Sequence, residues 1–264
     1  MKQIVGLFFL VCVQVTASAQ ILKVDKGSLL LDSTSILIGK MGLNFNIHNR
    51  SATSEQEIIF VGLNGTTDIV YLSDKHAYIS INNIHYYKST GGPLSSNGYS
   101  HFRINILRKN KLSYEGFVQV QYDDGRNMPF RLLGGGGLRF NLIETKKTSV
   151  NLGVGGMRER ENWKMIDEVR SLVEKGMWKT SDYIGINTVF NDIVSFHLIA
   201  YYQGGWDSDT SVFRNRISGD FQFAVKVTDK LSFVTNFTSQ YEDKPIIPIN
   251  NMVYTLTNGI NWSF

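Results

Sequence analysis

Five histidines, His48, His76, His85, His101 and His197, are the side chains best suited to general-base work near neutral pH. A hydrolase that works from a strand sets a His and a Ser two positions apart, so that both leave the same face. Here the residues two places on are Arg50, Tyr78, Tyr87, Arg103 and Ile199, so that pairing does not occur. Ser100 adjoins His101, but alternation sends the two to opposite faces. The histidines are also too dispersed, without carboxylates at ligand spacing, to gather a metal. Residues 134–137 are all glycine, as in a phosphate loop, yet no Lys-Ser or Lys-Thr follows and no helix opens there. We therefore expect no enzyme, no catalytic residue, no metal and no cofactor.

Charge, by contrast, is sorted by face. Phe102, Ile104 and Ile106 oppose His101, Arg103 and Asn105; Tyr114, Val118, Val120 and Tyr122 oppose Glu115, Gln119 and Gln121. Phe130, Leu132, Leu138, Phe140 and Leu142 lie opposite Arg131 and Arg139. Phe213, Ile217, Phe221, Phe223, Val225 and Val227 oppose Arg214, Arg216, Asp220 and Lys226. The sorting has energetic weight where one face meets hydrocarbon, because Lys or Arg at the bilayer midplane costs about 2–4 kcal/mol.

The elements that must present these faces are strands. The first turns Leu37, Gly39, Met41, Leu43, Phe45 and Ile47 one way and Lys40, Asn44, Asn46 and His48 the other. The last aligns Met252, Tyr254, Leu256, Asn258, Ile260, Trp262 and the terminal Phe264, with Thr255, Thr257, Asn261 and Ser263 opposite. Alternation that ends on an aromatic is how the closing strand of an outer-membrane barrel reads. About 12 strands are predicted, the count being least sharp around residues 55–82. A soluble sandwich also alternates, but its strands usually run to only about 5–6 residues. Tight connections are expected at 64–67, 109–111, 144–147, 191–192 and 228–230, and longer ones at 82–97, 123–128, 161–180, 204–211 and 242–251. Short periplasmic turns and longer outer loops give that asymmetry, and an even count returns the chain to the periplasmic side. Within 161–180, Met165, Ile166, Val169, Leu172 and Val173 recur at three and four residues, with Asp167, Glu168, Arg170 and Glu174 between them and Gly176 as a C-cap. That spacing predicts a short amphipathic helix, folded inward or packed on the rim.

The N-terminus supplies an address. Lys2, an apolar run over 4–15 and Ala17-Ser18-Ala19 before Gln20 form a secretory signal peptide over 1–19, leaving 20–264 as one barrel domain. Its removal takes away Cys12, the only cysteine, and a lipoprotein reading of Cys12 fails because Val11 precedes it. No later segment approaches the roughly 20 apolar residues of a membrane helix. The 24 Gly against 4 Pro, with 12 Tyr, 16 Phe and 4 Trp, suit long strands with aromatic girdles. A formal charge of +4 on scattered basic residues does not indicate nucleic acid. The fold expected is all-β: a transmembrane antiparallel up-and-down β-barrel in the bacterial outer membrane, with one short helical outer loop.

Three runs carry a resemblance. Residues 112–122 (LSYEGFVQVQY), 131–140 (RLLGGGGLRF) and 152–163 (LGVGGMRERENW) resemble the outer-membrane barrel family catalogued as domain of unknown function four-eight-one. Asp243-Lys244-Pro245 and Asn258-Gly259 fit the same pattern, so the likeness covers nearly the whole mature chain. It implies an outer-membrane barrel and brings no established activity.

If 144–147 is a tight turn, residues whose numbers sum to about 290 face each other across the sixth and seventh strands, within one or two positions. Arg131 then meets Glu159, and Gly135 and Gly137 meet Gly155 and Gly153; the loop after the fifth strand similarly brings Gln121 toward Arg131. A charged and polar lumen cluster is expected from His101, Arg103, Asn105, Glu115, Gln119, Gln121, Arg131, Arg139, Glu159, Glu161, Arg214 and Arg216. It serves either as a network that neutralises its own charge or as a selective surface for a polar or anionic solute. The glycines leave a bare wall patch for a bulky side chain or a loop to fill. The function expected first is a narrow pore for small polar solutes. The alternative is a plugged structural or surface-interaction barrel, and the third an outer-membrane lipid hydrolase. Expected partners are outer-membrane lipids, the barrel-assembly machinery through the C-terminal strand, and small polar or anionic solutes.

Overall fold

The computed structural model describes residues 36–49, 58–90, 92–166, 171–191, 193–228 and 231–262. The signal peptide over 1–19, together with Ser263 and Phe264, lies outside the described residues. The chain forms one antiparallel sheet in sequence order: β1 (Ile36–Asn49), β2 (Ile59–Leu72), β3 (His76–Ser89), β4 (Gly92–Ile106), β5 (Leu112–Asp123), β6 (Met128–Glu144), β7 (Thr148–Lys164), β8 (Leu172–Thr180), β9 (Asp182–Val189), β10 (Val194–Asp207), β11 (Val212–Lys226), β12 (Leu231–Glu242) and β13 (Met252–Trp262).

Thirteen strands fill twelve places. β8 and β9 both lie between β7 and β10: Gly156 pairs Thr180 and Gly153 pairs Tyr183, while β10 meets β9 along its length and β8 at Gly205 and Lys179. They are one strand interrupted at Ser181, whose N–H still donates to the Gly155 carbonyl, 2.9 Å away. The count of about 12 is thus met in strand positions.

Outward residues are apolar and open. Leu37, Met41, Leu43, Phe45 and Ile47 on β1, Phe102 on β4, Val118 and Val120 on β5, and Leu256 and Ile260 on β13 are all exposed. Inward residues contact one another across the interior. Tyr183 on β9 donates to Glu115 on β5 at 2.7 Å, and Arg216 on β11 reaches Glu159 on β7 at 3.1 Å. The sheet therefore curls until walls distant in sequence touch.

Three expected connections are corrected. Residues 64–67 are the middle of β2, where Asn64 pairs His85 and Thr67 pairs Asn82. The turn comes later, at Ser73, whose hydroxyl accepts from the His76 N–H at 2.9 Å. Residues 82–97 are β3 running into β4, their asparagines lying in the ladder, not in a loop. β2 and β3 are hard to read because both their faces are apolar: Ile69 and Tyr71 face out, while Val70, Leu72, Ala77, Ile79 and Ile81 form a buried cluster inside.

The helix expected within 161–180 is overturned by pairing. β7 continues to Lys164 and β8 begins at Leu172, with Lys164 opposite Leu172 and Glu161 opposite Lys175. Gly176 sits inside β8, and Asp167, Glu168, Val169 and Arg170 lie outside the described residues. Alternation of inward Lys175, Met177 and Lys179 with outward Glu174 and Trp178 prevails over the three-and-four spacing. Between β5 and β6 stands a single 3-10 turn, Asp124–Arg126, closed by Asn127 in the left-handed region at φ 58°.

Candidate functional site in the interior

The sixth and seventh strands hold the densest charge. Their register sums to 292, so Arg131 lies directly opposite Glu161 and Leu133 opposite Glu159, inside the expected tolerance. The guanidinium still gathers both carboxylates: its Nε is 2.8 Å from a Glu159 oxygen and 3.0 Å from Glu161. Arg216 joins from across the interior, donating to Glu159 at 3.1 Å and to Glu161 at 2.8 Å. Lys179 on β8 closes on the other Glu159 oxygen at 2.5 Å. Arg216 and Arg126 share Glu242, at 3.2 and 3.0 Å. Four cations thus meet three carboxylates, and Glu159 and Glu161 are each only 1% exposed. Buried ions persist only when paired this completely.

Gln121 pairs Arg131 across the ladder and accepts from it at 3.3 Å. Gln119 links Gln121 to the His101 ring, which lies 2.9 Å from its oxygen. A second group lies on the same walls. Arg103 and Arg139 each approach Glu115 to 3.8 Å, Tyr183 donates to that carboxylate, and Arg139 donates to Asn151 at 3.3 Å. The Arg103 guanidinium stands 5.5 Å over the Tyr183 ring and 5.8 Å over Phe117. Asn105, 1% exposed, is buried two residues further along β4. Arg214 is inward too but belongs to a separate rim cluster, where it shares Asp207 with Lys175.

The expected glycine patch is inward-facing, and a tyrosine covers part of it. A Cβ on Gly153 would stand 2.0 Å from the Tyr183 ring, which lies flat against that bare backbone. Gly137 and Gly155 pair directly, and a Cβ on either would strike the opposite backbone within 2.5 Å. Gly135 faces Met157 under the same constraint, at 2.4 Å from the Gly156 carbonyl oxygen.

At the end where β6 begins, the network is capped. Ile247, from the β12–β13 connection, packs with Met128 and Trp163, all at most 4% exposed, and Ile246, Ile249 and Met165 close around them. The Trp163 indole N–H donates to Glu161 at 3.1 Å, tying the apolar cap to the ions beneath. Below, a cavity of about 60 Å³ remains, lined by His101, Gln119, Arg103, Arg131, Arg216, Tyr201, Gln203 and Gln240 among others. That is room for ordered water.

Sequence reasoning missed Lys179, Trp163, Arg126, Glu242 and Ile247. Lys175 and Lys179 alternate with Trp178, which marks a strand once the helix reading is dropped. The run Ile246-Ile247-Pro248-Ile249 inside an otherwise polar connection was the signal for the cap. Among the described residues, no three His, Cys, Asp or Glu side chains gather where they could hold a metal ion. No curated protein matches the chain. The family described as "Protein of unknown function, DUF481" matches residues 61–246, and the chain belongs to that family.

Proposed function

From membership of a family without an assigned activity, we propose that this chain is an outer-membrane β-barrel closed by its own side chains, acting as a structural or surface-interaction protein rather than as an open conduit. The observation that carries the reading is the buried network of Glu159, Glu161 and Glu242 with Arg126, Arg131, Lys179 and Arg216, which joins opposite walls beneath the Trp163–Ile247 cap. The membrane part rests on the outward stripes. β6 and β7 are 17 residues long, whereas about 9–11 tilted residues span the hydrocarbon. Exposed Trp206, Trp262 and Tyr254 are placed as interfacial aromatics would be.

A closed barrel acts through its walls and its outer rim. Its strand edges and C-terminal strand are read by the barrel-assembly machinery, its outward face by lipid, and its outer connections by an extracellular partner. On this reading the protein is non-enzymatic and leaves lipid esters intact.

A narrow pore for small polar solutes is the second reading, favoured by the polar lining of the 60 Å³ cavity. Planar-bilayer recording separates the two. Folded wild-type protein is expected to give no steady current, whereas Trp163→Ala with Ile247→Ala, which removes the cap, gives brief openings. A reproducible ohmic current from wild type would establish the pore and overturn the closed reading.

A further inference from the structure

On the outward face of β7, Val150, Leu152, Val154 and Gly156 give way to Arg158 and Arg160, both exposed. The two arginines border a surface cavity of about 690 Å³ whose lining includes Val118, Leu132, Gly134, Glu174 and Gly176. Arg160 pairs with Glu174 at 2.7 Å. Arg158 lies across Gly176, where a Cβ would come within 3.0 Å of its Nη2, and stands 5.8 Å over the Trp178 ring. Among the described residues Arg158 has this aromatic neighbour and no carboxylate partner. The cavity therefore offers two guanidinium groups against one carboxylate, beside an apolar floor.

An arginine facing hydrocarbon is costly, and an anion at the same depth offsets that cost by accepting two parallel hydrogen bonds from its planar fork. A tryptophan at the same level is the usual companion of a lipid headgroup. We propose that this cavity docks the phosphorylated headgroup of an anionic membrane lipid, with Arg158 and Arg160 on the phosphate and an acyl chain along Val118 and Leu132. The site rests on the membrane reading above. A cation near a charged lipid surface contributes about fivefold in affinity.

The experiment uses folded protein in phosphatidylcholine vesicles, with brominated phosphatidylglycerol or brominated phosphatidylcholine quenching Trp178. Subtracting Trp178→Phe isolates that signal from Trp163, Trp206 and Trp262. Wild type is expected to favour the anionic lipid by about fivefold to twenty-fivefold, counting one or two effective cations. Arg158→Ala with Arg160→Ala brings the ratio to parity, and Glu174→Gln, which removes the competing carboxylate, raises it. Parity in wild type, or an unchanged ratio in both variants, overturns the headgroup site. Absence of quenching by either lipid overturns the membrane reading itself.

Discussion

Glutamine at position 159 isolates what the interior network contributes. Glu159 is 1% exposed and is shared by Arg131, Lys179 and Arg216, so neutralising it strands Lys179 and leaves Arg131 and Arg216 on Glu161, with Glu242 as a further partner for Arg216. Removing one member of a buried ion pair costs about 3–5 kcal/mol, because the remaining charge stays desolvated. Glu174→Gln is the internal standard: it breaks an equally ordinary Arg–Glu pair that is more than half exposed, worth about 0–1 kcal/mol. Urea unfolding of detergent-folded protein, followed by tryptophan emission and by gel migration before and after heating, measures both. With a slope of about 1–3 kcal/mol per molar, Glu159→Gln should lower the midpoint by at least about 0.7 M more than Glu174→Gln. Adding Lys179→Met to Glu159→Gln should recover part of the loss, since one stranded cation is removed. If the two single variants unfold together, the interior carboxylates are solvated and the closed-barrel argument fails.

Other outcomes follow from the same geometry. Arginine at Leu256 or Ile260 should impair membrane assembly by about 2–4 kcal/mol, whereas arginine at the neighbouring Thr257, on the opposite face, should be tolerated; equal folded yields at these positions would contradict the facing. Gly153→Ala should displace the Tyr183 ring at a cost of about 1–3 kcal/mol, read as lost near-ultraviolet dichroism and a lower unfolding midpoint. Partial burial raises the affinity of the Asp243 carboxyl for its proton, but hydrogen bonds from the Asn215 backbone and side-chain amides outweigh it and hold the group below its usual 3.8. Its contribution is therefore present above about pH 4 and lost as pH falls through the depressed value, so protease cleavage of the 243–251 connection should rise there. Asp243→Asn should flatten that pH dependence.

Much of the wall was legible because alternation is a local signal. Arg131, Glu159 and Glu161 could be brought together by counting back from one turn, and Gln121 by the loop that follows the fifth strand. β2 and β3 resisted because Val70, Leu72, Ile79 and Ile81 make the inner face as apolar as the outer, so the period loses contrast. The helix reading of 161–180 failed because Met165, Ile166, Leu172 and Val173 satisfy a helical period while the pairing of β8 with β7 is a long-range event. Arg126, Glu242 and Ile247 were hidden for a related reason: their partners lie across the interior, where neither spacing nor local turn chemistry points to them.

The cap also has a place in time. Met128 and Trp163 are ready once β6 and β7 are paired, but Ile247 arrives only with the β12–β13 connection, and the Arg126–Glu242 bond joins residues 116 apart in sequence. Contacts of such separation wait for the intervening chain to be laid down. A chain missing its last hairpin would thus stand with Trp163 wet and Arg216 short of one carboxylate, so the burial of a single indole marks the moment at which the final strands dock.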